Sequence, residues 1–269
     1  MIEEALNREI DPAFAERARL IFEYCRRKRP QAVIDVGCGR GFYLRGLAEL
    51  GIAERIVGID KSQANVALAA EHCRGLPSVN IINADVAALP AGDNEFDLAI
   101  CSEVLEHLAR PEEAMREIAR VLQPGGTLLI TVPNYNFPAL WDPLNFLLMR
   151  VFGSHVPKHI HWLAGIWADH ERLYDSENLT RLVTPLFELK TVEPVLRHCW
   201  PFSHLLLYGI GKNLLEAGIG SSLSRFSSNP TGRLPRALAK LMGLPARLLP
   251  GKPSLDCSVN LFLCATKPL

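Results

Sequence analysis

Val33-Ile34-Asp35-Val36-Gly37-Cys38-Gly39-Arg40-Gly41-Phe42 decides the fold of this chain. A short apolar strand runs into a glycine-rich turn, and a helical segment starts directly after it. That sequence of elements builds a cradle for a nucleotide-type cofactor. Glycines let the backbone turn sharply and let a ligand lie against it, while the following helix offers unpaired N–H groups in its first turn. The spacing then discriminates among ligands. Gly37, Gly39 and Gly41 read G-x-G-x-G, whereas the dinucleotide fingerprint has its third glycine where Phe42 stands. This argues against a nicotinamide or flavin cofactor.

Working outward, Gln31–Val36 is the predicted first strand and Gly41–Glu49 the helix after the turn. Arg55–Asp60 follows as a second strand, ending in an acid roughly 20 residues past the glycines, where a ribose partner belongs. A carboxylate there accepts hydrogen bonds from both vicinal hydroxyls of a ribose; the competing reading is a plain turn former. Val79–Val86 predicts a third strand running into an acidic turn at Asp85, which could equally be an ordinary Asp cap. Glu95–Leu108 has an apolar centre that fits a buried parallel strand. Its polar residues from Ser102 onward emerge at the carboxyl end, where open α/β sheets bind ligands. Pro111–Leu122 reads as an amphipathic helix, Gln123-Pro124-Gly125-Gly126 as a break, and Thr127–Pro133 as the next strand.

On Asp35-x-Gly37-x-Gly39-x-Gly41, Asp60, Asp85, the Glu103-Val104-Leu105-Glu106-His107 run and the Pro-Gly-Gly turn, the chain resembles class I S-adenosylmethionine-dependent methyltransferases. The resemblance covers about the first two thirds of the sequence. It implies an α/β fold with a Rossmann-like seven-stranded sheet, parallel strands with an antiparallel last strand, in three α/β/α layers with helical lid insertions. It also implies S-adenosyl-L-methionine as cofactor, held by Asp35, Gly37, Cys38, Gly39, Gly41, Asp60, Lys61, Asp85, Val86 and Ser102. In that assignment Asp60 takes the ribose and the stem of Lys61 covers the adenine. Asp85 accepts from the adenine amino group, the Val86 N–H reaches the ring, and Ser102 approaches the methionine moiety. The Glu103-to-His107 turn lies under the transferred methyl. Three readings stand for it: a helix-start network, His107 as general base, or chelation of a divalent ion by Glu103, Glu106 and His107. No metal is assigned.

The 269 residues, 48% of them hydrophobic, suffice for one large α/β core with insertions. Formal net charge is zero, so no global basic field recruits nucleic acid, and an RNA substrate is disfavoured. Seven cysteines without CxxC pairs fit a reducing compartment. Met1-Ile2-Glu3-Glu4 has no apolar run and does not read as a secretory signal, which predicts a cytoplasmic protein. Asp11-Pro12 opens an amphipathic helix that ends at Arg26-Arg27-Lys28-Arg29.

The predicted organisation is a cofactor-binding core over 1–134, a lid insertion over 135–170, core again over 171–198, a basic apolar insertion over 199–255, and the last strand in 256–269. The first insertion ends at His170-Glu171-Arg172-Leu173-Tyr174, which is similar to a substrate-side stretch of related enzymes. His170 joins His107 as a catalytic candidate, and Arg172 meets substrate or caps the lid. His159, His161 and His170 form no recognised metal spacing. Ser176–Leu186 predicts a helix, Phe187–Leu196 a strand, and Cys257–Lys267 the final strand. Between Ala217 and Leu255 stand Arg225, Arg233, Arg236, Lys240, Arg247 and Lys252, with no acid. Such a segment suits either a helical flap or a peripheral contact with an anionic membrane through 200–252, and it is too interrupted to span a bilayer. The function implied is methyl transfer to a small or lipid-like acceptor, with O-methylation first. The alternatives are a non-catalytic cofactor-binding interaction module and a metal-assisted RNA 2′-O-methyltransferase. Oligomeric state is not legible.

Overall fold

The computed structural model describes residues 2–160, 163–211, 226 and 233–269. The predictions that rest on His161, on Arg225 and on the other residues of 212–225 and 227–232 fall outside the described residues. The elements run α1 (Ile2–Leu6), α2 (Pro12–Lys28), β1 (Ala32–Val36), α3 (Phe42–Glu49), β2 (Arg55–Asp60), α4 (Gln63–His72), β3 (Val79–Asn83) and β4 (Phe96–Ser102). A 3-10 turn at Leu105–His107 leads to α5 (Pro111–Val121), β5 (Leu122–Pro133), α6 (Pro143–Phe152), α7 (Ser176–Val183) and β6 (Glu188–Val195). A π-helical stretch (Leu205–Gly211), α8 (Arg233–Met242), α9 (Leu244–Leu248) and β7 (Asn260–Thr266) complete the chain.

The seven strands form one sheet in the order β3-β2-β1-β4-β5-β7-β6. β1 pairs in parallel with β2 and β4, β2 with β3, and β4 with β5. β7 runs antiparallel beside β5: Lys267 N–H donates to the Gly126 carbonyl, and Gly125 N–H to that of Lys267. The order reverses at β1/β4, the topological switch point at which such sheets hold ligands. β1, β2 and β4 have near-continuous buried apolar runs, as strands covered on both faces must. The Pro-Gly-Gly break proves to be a bulge at the foot of β5 rather than a separate turn. Phe96 pairs with Leu122 but Leu98 with Thr127, and Gly125 takes up the excess chain at φ +76°.

By backbone proximity the chain divides into two units. One comprises Ala18–Val132, Ser176–Glu193 and Phe262–Leu269 and holds most of the sheet. Its core is built on Ile34, Leu44, Ile56, Leu98 and Ile100, all fully buried. The other comprises Met1–Arg17, Pro133–Asp175 and Pro194–Leu261, so the N-terminal residues group with both insertions. Inside this second unit Asp142 and Asn145 make a buried polar knot. Asp142 Oδ2 accepts from Ile166 N–H at 3.0 Å and from Asn145 Nδ2 at 2.8 Å, while Asn145 Oδ1 accepts from Val156 N–H at 2.9 Å. Gly165 takes φ +56° and sits against Asp142, where any Cβ would overlap the carboxylate. Asp11 caps α2 through Ala13 and Phe14 N–H groups and accepts the Tyr208 hydroxyl.

Candidate functional site

The site is built on the carboxyl ends of β1, β2 and β4. The backbone of the glycine loop is tied to β2: Gly37 and Cys38 N–H groups both donate to the Ile59 carbonyl, at 2.7 and 2.8 Å. Gly37, Gly39 and Gly41 all take positive φ, at 79°, 54° and 81°, which side-chain-bearing residues rarely tolerate. They differ in what surrounds them. A Cβ on Gly37 would overlap Val104 Cγ2, and one on Gly41 would stand 3.1 Å from Ala69 Cβ. Nothing lies within 4 Å of a Cβ on Gly39, so the loop's middle glycine presents open backbone. Cys38 contributes backbone rather than thiol: its side chain is buried, and burial, Asp35 and Asp60 push the thiol pKa up.

Asp60 ends β2 and holds the loop in place. Its Oδ2 accepts from Gly39 N–H at 2.9 Å, and its Oδ1 from Ser62 N–H at 2.8 Å and Asn65 Nδ2 at 3.3 Å. Ser62 in turn caps α4 by accepting from Asn65 N–H at 3.3 Å. Lys61 is exposed beside it. Asp35 is 1% exposed, and its Oδ2 has no hydrogen-bond partner. Burial, reinforced by Asp60, pushes its carboxyl up to about 8. Two acidic side chains therefore share the switch point, Asp60 with both oxygens bonded and Asp35 with one oxygen lacking a partner. Asp85 is exposed after β3 and makes the local turn, its Oδ1 accepting from Ala87 N–H at 2.9 Å, while Val86 is buried behind it.

At the end of β4 the structure joins residues that the sequence reading left separate. The Thr131 hydroxyl donates to Glu103 Oε1 at 2.9 Å. Having spent its only proton, Thr131 must accept from Ser102, 2.8 Å away. Ser102 must by the same rule accept from Tyr43, at 3.3 Å. The result is a one-way chain of hydroxyls, Tyr43 to Ser102 to Thr131 to Glu103. Tyr43 and Thr131 were missed from sequence, although a Thr between Ile130 and Val132 in the apolar β5 run was a signal. Glu103 sits at φ +57°, a left-handed conformation uncommon outside glycine, and strained backbone of this kind clusters at functional sites. The Glu106 carboxylate is fully buried in the 3-10 turn, with His107 Nε2 4.0 Å from its Oε1 and the His107 side chain 41% exposed. His170 and Arg172 belong to the second unit, where both are half-buried and where Glu171 pairs with Lys158 at 2.7 Å.

Residues 34–130 match a family model described as a methyltransferase domain. A Mycolicibacterium smegmatis protein named as an S-adenosylmethionine-dependent methyltransferase is 36% identical over 103 residues, 38% of each chain. A ubiquinone biosynthesis O-methyltransferase of Coxiella burnetii is 32% identical over 108 residues, 40% of this chain and 45% of the relative. The match thus spans less than half the length of these curated relatives. Among solved structures, a Bacillus halodurans protein described as a methyltransferase superposes with a TM-score of 0.57 over 95% of this chain and 100% of its own, at 18% identity. That likeness concerns the fold.

Proposed function

We propose that this chain, whose residues 34–130 match a family model described as a methyltransferase domain, is an S-adenosylmethionine-dependent methyltransferase that methylates a small or lipid-like acceptor, with oxygen as the favoured acceptor atom. The observation that carries the reading is the buried Asp35 oxygen without a hydrogen-bond partner, beside Asp60 at the switch point. A buried acceptor in that state is costly until a donor or cation reaches it. The family's cofactor brings an ammonium group and a ribose diol, so the residues present fit it. Asp35 would face the cationic end. Asp60 retains lone pairs for the ribose beyond the three bonds it already accepts. Gly39 leaves backbone open for close approach, and Asp85 with Val86 would take the adenine.

When bound, the cofactor supplies a methyl group on a sulfonium that already carries its leaving group. The protein's part is therefore to orient the acceptor and manage a proton. The hydroxyl chain fixes Ser102 with its proton pointing away toward Thr131, leaving a lone pair on Ser102 free to hold a donor on the ligand. His107, exposed at the same strand end, would take the proton of an acceptor hydroxyl. Oxygen as acceptor atom draws support from the ubiquinone biosynthesis O-methyltransferase likeness. His170 is a second candidate base in the other unit.

The test is formation of S-adenosylhomocysteine by purified protein with phenol and quinol acceptors, beside His107→Ala and Asp60→Asn. Acceptor-dependent turnover is expected, with His107→Ala lowering kcat by about 10²–10⁴-fold and leaving cofactor affinity unchanged. Tight cofactor binding with no turnover on any acceptor would instead support an interaction module.

A further inference from the structure

We infer that the unit made of Met1–Arg17, Pro133–Asp175 and Pro194–Leu261 docks peripherally on an anionic lipid surface, through α6 and the α8–α9 segment. This goes beyond methyl transfer, and only its folding check rests on the cofactor binding proposed above.

Three observations converge. The first is the orientation of α6. Leu144, Leu147 and Val151 follow helical spacing, and with Phe152 they are 37%, 56%, 61% and 70% exposed. The polar Asn145 on the same helix is completely buried. Asn145 bonds Asp142, the Ala164 carbonyl and Val156 N–H, so the helix is locked with its polar residue inside and its apolar face out. That inverts the arrangement of an ordinary surface helix. Rolling the leucines inward would break every one of those buried bonds.

The second is where exposed apolar residues fall. In the sheet-bearing unit only Leu189 and Leu269 stand out among the described residues. The other unit adds Leu241 at 51% and Leu248 at 71% to the α6 face. Apolar exposure this concentrated marks an interaction surface rather than the scatter found on any protein.

The third is charge, and it selects the partner. Residues 143–168 contain Arg150 and Lys158 and no acid. Residues 194–255 contain Arg197, Lys212, Arg225, Arg233, Arg236, Lys240, Arg247 and Lys252 against the single acid Glu216. Lys240, Arg247 and Lys252 are exposed, and no ion pair engages them among the described residues. The apolar residues at α6 and α8–α9 therefore sit among cations in stretches almost without acids. An anionic bilayer matches both properties at once, with a negative surface over an apolar interior. No described helix is long and apolar enough to cross a membrane, so the contact is interfacial.

The experiment is flotation of the full chain with vesicles of phosphatidylcholine alone and of phosphatidylcholine mixed with phosphatidylglycerol, across a salt series. Variants are Leu147→Glu with Phe152→Glu, and Lys240→Glu with Arg247→Glu. All four positions are exposed, and S-adenosylhomocysteine binding reports that each variant is folded. The wild type is expected to float only with the phosphatidylglycerol vesicles and to release as salt rises. Neutralising one of these cations should weaken binding about fivefold, and each double reversal should abolish flotation. Wild-type protein that binds S-adenosylhomocysteine yet ignores anionic vesicles would overturn the inference. So would variants that float like the wild type. A wild-type dimer in sedimentation velocity that the α6 variant dissolves, without vesicle binding, would assign the face to a second copy of the chain instead.

Discussion

Asp35 is the residue whose protonation would couple the fold to the proposed cofactor. Its folded-state pKa of about 8 lies far above the ordinary 3.8, so the folded protein holds a proton that the unfolded chain releases. The sign follows directly: Asp35 favours folding fully below about pH 4 and loses that contribution as pH rises through 8. Asp35→Asn keeps the shape and removes the charge. It should stabilise the free protein by about 1–3 kcal/mol at pH 8 and flatten the decline between pH 4 and 8, as denaturant titrations at several pH values would show. The same substitution should weaken S-adenosylhomocysteine binding. Thr131 gives a second prediction at this scale. Thr131→Val removes the acceptor of the Ser102 hydroxyl and a donor to Glu103 and should cost about 1–3 kcal/mol, whereas Thr131→Ser should recover most of it. Asp35 and Asp60 were readable from sequence because local spacing from the glycines defines them. Tyr43, Ser102, Thr131 and Glu103 meet across 59, 29 and 28 positions, and only the sheet's register brings them together.

Among the elements, the glycine loop makes the sharpest claim, because its glycines are glycine for different reasons. Gly37→Ala meets both a left-handed backbone and Val104, and should destabilise by several kcal/mol, about 2–4. Gly39→Ala meets open space and pays only the backbone term, about 1–2 kcal/mol. Yet the added methyl would stand on the open face to which the proposed cofactor site assigns the ligand. Thermal melts and cofactor titrations should therefore dissociate: Gly37→Ala loses stability, and Gly39→Ala keeps most stability while losing affinity. Strands β1 and β2 and helices α2 and α5 were legible because their buried residues are large and regularly spaced. Helix α4 was not. Only Ala69 is buried along Gln63–His72, so helix propensity and the Ser62 cap carry it instead of an apolar stripe. The bulge in β5 was read as a break because glycine and proline punctuate turns and bulges alike.

At the scale of the whole molecule, the two units respond to pH in opposite senses. His204 lies half-buried in the second unit with its Nδ1 shielded from solvent, stacked on Tyr208 with ring centroids 5.0 Å apart, and desolvation holds its pKa down at about 4. An unfolded histidine takes its proton near 6.5, so this residue's contribution is complete above that value and is lost as pH falls from 6.5 through 4. Asp35 runs the other way. His204→Phe should flatten the acid limb of the stability profile and leave the alkaline limb set by Asp35 untouched. The grouping of Met1–Arg17 with the insertions was invisible in sequence, since the Asp11–Tyr208 bond joins residues 197 positions apart. The inverted face of α6 was equally hidden, because an apolar run with one asparagine does not announce which side the asparagine faces.

Calorimetric titration of S-adenosylhomocysteine into the wild type and Asp60→Asn tests most directly whether Asp60 and the glycine loop organise a cofactor site. Saturable binding to the wild type, weakened about tenfold or more in a folded Asp60→Asn, is the predicted result. A folded wild type that binds no S-adenosylhomocysteine, or an Asp60→Asn variant that binds it as well as the wild type, would contradict the account.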